Sequence, residues 1–159
     1  MEIIRRVTVS LAAVVLSTVG IIAVGASPAA AASCSGSSCL HQDPSATGCT
    51  NGATTLTSFR YSDPWTSYDP LIELRYSSTC KAAWTRVTDG DCQPWACSGV
   101  IEASVNKSTI AHWSTSPAPH PNAQVWSNMM PFSYWVRACF VTWSDEGQPY
   151  QRVACTAWR

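Results

Sequence analysis

The chain has 159 residues, 46% of them hydrophobic and 13% charged, with ten basic residues set against ten acidic ones. That balance leaves no basic field to hold nucleic acid, which argues against nucleic acid as a partner. Eight cysteines in a chain of this size point instead to a cross-linked extracellular domain.

The N-terminus reads Met-Glu-Ile-Ile-Arg-Arg and then runs apolar from Val7 to Val24. Arg5 and Arg6 form a basic leader, and Ala30-Ala31-Ala32 supplies the small residues a signal peptidase reads. Residues 1–32 are therefore expected to be a secretory signal peptide, cleaved after Ala32. An uncleaved membrane anchor is the competing reading, since the apolar run approaches spanning length. The Ala-rich end, Pro28 and the lack of a basic stop-transfer flank favour cleavage, leaving no stable membrane span. Residues 33–159 then suit a single domain built on one core. They carry nine acidic and eight basic residues, a formal charge of −1.

The cysteines stand at 34, 39, 49, 80, 92, 97, 139 and 155. An even number in an exported chain reads as a disulfide framework, for which 105 full pairings exist. Zinc is the rival, but no Cys-x-x-Cys pair occurs and no histidine pair lies close to the cysteines, so no metal site is expected. Cys34 to Cys49, with Asp43-Pro44 and Gly48, is a looped entry segment. Ala53 to Phe59 is Thr-rich and reads as a strand, with Leu56 packing inward. Asp63-Pro64 and Asp69-Pro70 mark a loop into the next element.

Ile72 to Val87 is the clearest pattern. With Ser77-Ser78-Thr79 as a three-residue connection, it forms a hairpin that places Tyr76 opposite Cys80, Leu74 opposite Ala82 and Ile72 opposite Trp84. Those six apolar residues share one face, and Glu73, Arg75, Lys81 and Thr85 share a solvent face. A four-residue loop would turn Trp84 towards water, because an odd slip reverses every side chain. A short helical turn over Lys81 to Arg86 is the competing reading. Asp89-Gly90-Asp91 ends the hairpin, and Cys92 to Cys97 follows as a compact loop.

Val100 to Val105 reads as a strand with Ile101, Ala103 and Val105 inward and Glu102 and Ser104 towards water. Lys107 to Pro121 loses periodicity and gains three prolines, so a long loop is expected. Tyr134 to Trp143 and Tyr150 to Trp158 form a second hairpin around Asp145-Glu146-Gly147. Pairing Ser144 with Tyr150 places Cys139 opposite Cys155, close enough for a cross-strand disulfide, and sets Val141 against Val153. The fold class expected is all-β: a small, disulfide-stapled antiparallel sandwich or barrel with long loops.

Several of these features together resemble the YjfA-like family of secreted bacterial domains of unknown function (DUF 2690). They are Cys34-x4-Cys39, Asp43-Pro44, Gly48-Cys49, Leu74-Arg75-Tyr76-Ser77, Cys80-x-Ala82-Ala83-Trp84, Arg137-Ala138-Cys139 and Cys155-Thr156. The family is common in actinobacteria. Some members carry a helix-turn-helix and a membrane segment, neither of which this chain has, so no DNA-binding role carries over. The resemblance implies that Cys92 and Cys97, outside the family's cysteine pattern, bond to each other. It favours Cys49–Cys80 with Cys34–Cys39 as a short loop, the alternative being that Cys34 or Cys39 reaches Cys80.

No catalytic motif is present: there is no Gly-x-Ser-x-Gly, no free cysteine beside a histidine, and no convincing carboxylate pair. His112 and His120 are too far apart in a loop to define a metal geometry. Of the eight tryptophans, Trp84 and Trp143 read as core. Trp65, Trp113 and Trp126 read as set in loops beside prolines and polar residues and are the candidate ligand-binding residues. The expected function is a non-enzymatic, secreted or cell-wall-associated binding module without a cofactor, its partner a cell-wall glycan or a surface protein. The competing reading is a small secreted hydrolase or toxin-like enzyme whose acidic residues converge only in the fold.

Overall fold

A computed structural model describes residues 31–62, 69–89, 97–142 and 151–159. Among them a 3-10 turn, Gly36–Cys39, precedes nine strands. These are β1 (Thr54–Arg60), β2 (Leu71–Ser77), β3 (Ala82–Thr88), β4 (Cys97–Ser104), β5 (Ile110–Thr115), β6 (Gln124–Trp126), β7 (Met130–Pro131), β8 (Trp135–Thr142) and β9 (Gln151–Cys155). They form two antiparallel sheets. The first runs β1-β2-β3-β6 with β7 also on β3, and the second runs β5-β4-β8-β9.

The fold is a disulfide-stapled β-sandwich, and the described strands show no barrel closure. Ile72, Leu74, Ala83 and Val87 of the first sheet share a core with Ile101, Ala103, Val136, Ala138 and Phe140 of the second. The sheets approach closely at Gly99. A Cβ built there would lie 2.5 Å from Val87 Cγ2 and 2.9 Å from Thr85 Cγ2. Glycine is required because one backbone must pass against the side chains of another. Thr85 uses that proximity, its buried hydroxyl donating to the Val100 carbonyl of the facing sheet at 2.8 Å.

The β2–β3 hairpin is present, but its register differs from the expected one. Ser77 pairs with Ala82, Tyr76 with Ala83, Leu74 with Thr85 and Ile72 with Val87. The loop therefore has four residues, Ser78 to Lys81, with Lys81 in the left-handed region at φ 47°. This three-residue displacement exchanges the faces of β3. Trp84 does leave the inner face, yet it is only 2% exposed. Cys39, Cys49, Cys80, Ala82 and Met129 cover it. The expected register assumed one wet face, whereas this hairpin is buried on both.

Glu73 and Arg75 are correspondingly no solvated surface pair: Glu73 is buried against Arg86 and Thr55, and Arg75 donates to the Ala53 carbonyl. The loop is docked as well: Gly36 N–H donates to the Cys80 carbonyl at 2.7 Å, and Phe132 N–H to that of Lys81 at 2.9 Å.

Three further expectations are corrected. The segment from Lys107 contains β5, which pairs with β4 through Trp113 opposite Glu102 and Thr115 opposite Val100. Ile101 and Ala103 are buried as expected, but Glu102 and Ser104 are fully buried as well and Val105 is 66% exposed. The second face of β4 is covered by its neighbours' side chains, and the strand ends at Ser104, leaving Val105 in the turn. In the β8–β9 ladder Cys139 lies opposite Cys155, but a register shift follows and Val141 meets Arg152 rather than Val153.

The sulfurs of Cys34 and Cys39, of Cys49 and Cys80, and of Cys139 and Cys155 are bonded. Cys97 is also disulfide-bonded; the expected partner, Cys92, lies outside the described residues, as do Trp65 and Trp143. Among the described residues no helix is long and apolar enough to cross a membrane.

Candidate functional site

Strands β6 and β5 are edge strands of the first and second sheets respectively. An edge strand offers backbone groups its neighbours leave unused, so ligands and partners tend to collect there. Between these two edges lies a groove of about 580 Å³. Thr115, Ser116 and Pro117 line it from the β5 side, Gln124, Val125, Trp126 and Asn128 from the β6 side, and Asp43 from the entry segment.

Each wall is fixed by bonds that follow from local sequence. Asp43 precedes a proline, and its Oδ1 accepts from the N–H groups of Ser45 and Ala46 at 2.7 and 2.8 Å, capping the turn. Its Oδ2 accepts from the Trp126 indole N–H at 3.2 Å, joining the entry segment to β6. Ser116 N–H donates to the Gly99 carbonyl at 2.7 Å while Gly99 N–H donates to the Ser116 hydroxyl at 2.9 Å. Asn128 N–H reaches the Ser114 hydroxyl at 3.3 Å, linking the two edges.

The lining combines one indole, two hydroxyls, two carboxamides and a carboxylate. Amides and hydroxyls both donate and accept, so they match a ligand that presents many hydroxyl groups. Asp43 is the only carboxylate among the described lining residues, and three donors already hold it. Glycoside hydrolysis uses two carboxyl groups about 5–10 Å apart across the bond to be broken, and the described lining supplies no second one.

Two other carboxylates are held elsewhere by arginines. In the first sheet Glu73 accepts from Arg86 Nε at 2.5 Å and from the Thr55 hydroxyl at 2.7 Å. Burial pushes its carboxyl up, but the hydrogen bonds from Arg86 and Thr55 and the charges of Arg86 and Arg75 outweigh burial, holding it below the usual range. Burial in turn lowers Arg75, with the Arg86 charge acting in the same sense and Glu73 opposing. In the second sheet Glu102 accepts from Arg137 Nε at 2.8 Å and from Arg152 Nε. Both carboxylates are locked in ion pairs and neither lines the groove.

The tryptophans selected from the sequence separate in space. Trp126 lies in β6 and lines the groove. Trp113 lies in β5 on the outer face of the second sheet and is 46% exposed. Both are in strands rather than loops. Asp43 was legible only as a turn residue, because nothing local to Asp43-Pro44 announces a tryptophan 83 positions away. His41 and His112 also approach, with ring centroids 6.0 Å apart, and His112 stands 5.2 Å from the Tyr134 ring.

The model of a family described as protein of unknown function, DUF2690, matches residues 37–138. That span takes in every described groove residue and ends one position before Cys139. No curated protein and no solved structure matches the chain.

Proposed function

We propose, for a chain that belongs to the DUF2690 family of proteins of unknown function, that it is an exported, non-enzymatic module binding an uncharged glycan chain in the groove between β5 and β6. The observation that carries this reading is Trp126, held by Asp43 within a lining of amides and hydroxyls. An indole supplies an apolar plane for a sugar ring, and the flanking polar groups take its hydroxyls. Export through residues 1–32 and work at the cell wall belong to the same proposal, supported by the disulfide framework.

The test is retention of the oxidised protein on insoluble cell walls, with titration of soluble neutral glycan fragments followed by calorimetry. Trp126→Phe keeps a ring but removes the indole donor, so binding should weaken about 5- to 10-fold for one hydrogen bond worth about 1 kcal/mol and the lost orientation. Gln124→Ala and Asn128→Ala should each weaken it by a similar factor. No retention on any wall or glycan overturns the proposal, and release of reducing sugar on prolonged incubation replaces it with the hydrolase.

A further inference from the structure

We infer that the outer face of the second sheet is a second binding surface, separate from the groove, for an acidic polysaccharide. Cross-strand pairing places Trp113, Glu102 and Arg137 side by side on this face, since Trp113 and Arg137 both lie opposite Glu102. Trp158 stacks on the guanidinium of Arg137 at 4.3 Å from the ring centroid. Trp135, two residues before Arg137, shares the face, and Lys107 Nζ stands 3.6 Å from its ring centroid. With strands about 4.8 Å apart, the row from Trp113 to Trp158 spans roughly 14 Å. That is long enough for several rings of an extended chain.

Exposure and charge together select the occupant. Trp113 is 46% exposed and Trp135 is 42% exposed, although both are large indoles on a regular sheet. Around them stand the cations Lys107, Arg137 and Arg152, whereas Glu102 is fully buried with both oxygens taken by the two arginines. Among the described residues, the charge beside the indoles is therefore cationic in excess. An apolar protein partner or a neutral glycan would use the rings and make no use of the excess of three cations over one carboxylate. A chain of sugar rings carrying widely spaced carboxylates uses both, by ring stacking and by charge. Single-stranded nucleic acid also stacks on aromatic residues, but it is held by a basic groove tracking every phosphate. Three cations around one carboxylate do not make such a groove.

The experiment uses polygalacturonate as the acidic probe, with dextran as the neutral control and oligo(dT) as the nucleic acid control. Affinity electrophoresis of the oxidised protein should show retardation by polygalacturonate, and added salt should weaken it, since these charges are near the surface. Trp113→Ala and Lys107→Ala should each reduce affinity at least fivefold, and the pair at least 20-fold, with unchanged circular dichroism and thermal midpoint. Trp126→Phe should leave polygalacturonate binding within twofold, so failure of this surface and failure of the groove are read separately. Equal retardation by dextran, tighter binding of oligo(dT), or full binding by the folded double variant overturns the inference.

Discussion

The outer faces of the two sheets are built from the same parts and finished differently. Each carries a glutamate held by arginines, Glu73 with Arg75 and Arg86 on one and Glu102 with Arg137 and Arg152 on the other. Each also carries a disulfide, Cys49–Cys80 or Cys139–Cys155. On the first sheet the entry segment, cross-linked by Cys49–Cys80, closes over Trp84 and leaves it 2% exposed. On the second, Trp113 and Trp135 keep more than 40% of their surface. The lesson is that a sheet's indoles are not assigned by their spacing along the strand. What decides between core and surface is whether another part of the chain is tied down over them.

The sharpest test of that likeness removes the carboxylates. Glu102→Gln leaves two guanidinium groups facing a neutral amide at a fully buried position, and should cost about 3–5 kcal/mol. Glu73→Gln should cost less, about 1–3 kcal/mol, because Arg75 beside it keeps another acceptor. Arg75 donates to the Ala53 carbonyl at 2.7 Å. Urea denaturation of both variants at neutral pH checks the order, and a larger loss at Glu73 would break the comparison.

Removing the disulfides tests the difference in finish. Cys49→Ser with Cys80→Ser opens a 31-residue separation, against 16 for Cys139 and Cys155. Loop entropy gives about 3–4 kcal/mol for the first and about 0.6 kcal/mol less for the second. Hydrogen exchange should then distinguish the two. Opening Cys49–Cys80 should speed exchange at Gly36 and Ser33, whose N–H groups bond to the carbonyls of Cys80 and Thr47. Opening Cys139–Cys155 should leave those amides protected, and equal deprotection in both variants would show that the cover does not depend on its own cross-link.

These contrasts also explain what the sequence could and could not reveal. The all-β class followed from alternation in Ile72 to Tyr76 and in Tyr134 to Trp143, and alternation is a local property. The register of the first hairpin was not local. It depended on whether the face bearing Glu73 and Trp84 met water, and the answer lay in Cys34 to Ala53, a segment with no periodicity. Strand β5 escaped notice because it is an edge strand whose inward positions, His112 and Ser114, are polar. The outer aromatic surface was half legible. Trp113 stood out through its polar neighbours, while Trp135 was absorbed into the apolar run of β8, although alternation places it with Arg137 rather than with Val136. Asp43 needed the fold, since its tie to Trp126 is wholly long-range.

A milder perturbation examines the contact that holds the two sheets together. Gly99→Ala would place a methyl 2.5 Å from Val87 Cγ2, and both the donor and the acceptor of Gly99 are committed to Ser116. The sheets must separate or Val87 must change rotamer, at a cost of about 1–3 kcal/mol. Because Ser116 also lines the groove, glycan affinity should fall while polygalacturonate affinity stays unchanged. A variant that loses stability but keeps full glycan affinity would disconnect the groove from the sheet contact.

The smallest effect should appear in acid, and it concerns Glu73 alone. Its carboxyl is held below the ordinary value of 4.5 because the Arg86 and Thr55 hydrogen bonds and the arginine charges together outweigh burial. The unfolded chain therefore takes up its proton before the folded one does. The stabilisation is complete above about 4.5 and is lost as pH falls from there through the lower folded value. Glutamine at position 73 mimics the protonated, neutral side chain at every pH. The stability gap between the parent and Glu73→Gln should consequently be widest at neutral pH and shrink steadily below about pH 4.5. Urea midpoints at pH 7, 5, 4 and 3 would follow it. A gap that stays constant into acid would mean that the variant's loss comes from packing, and that the ionised carboxylate does not hold Arg75 and Arg86 on the covered face.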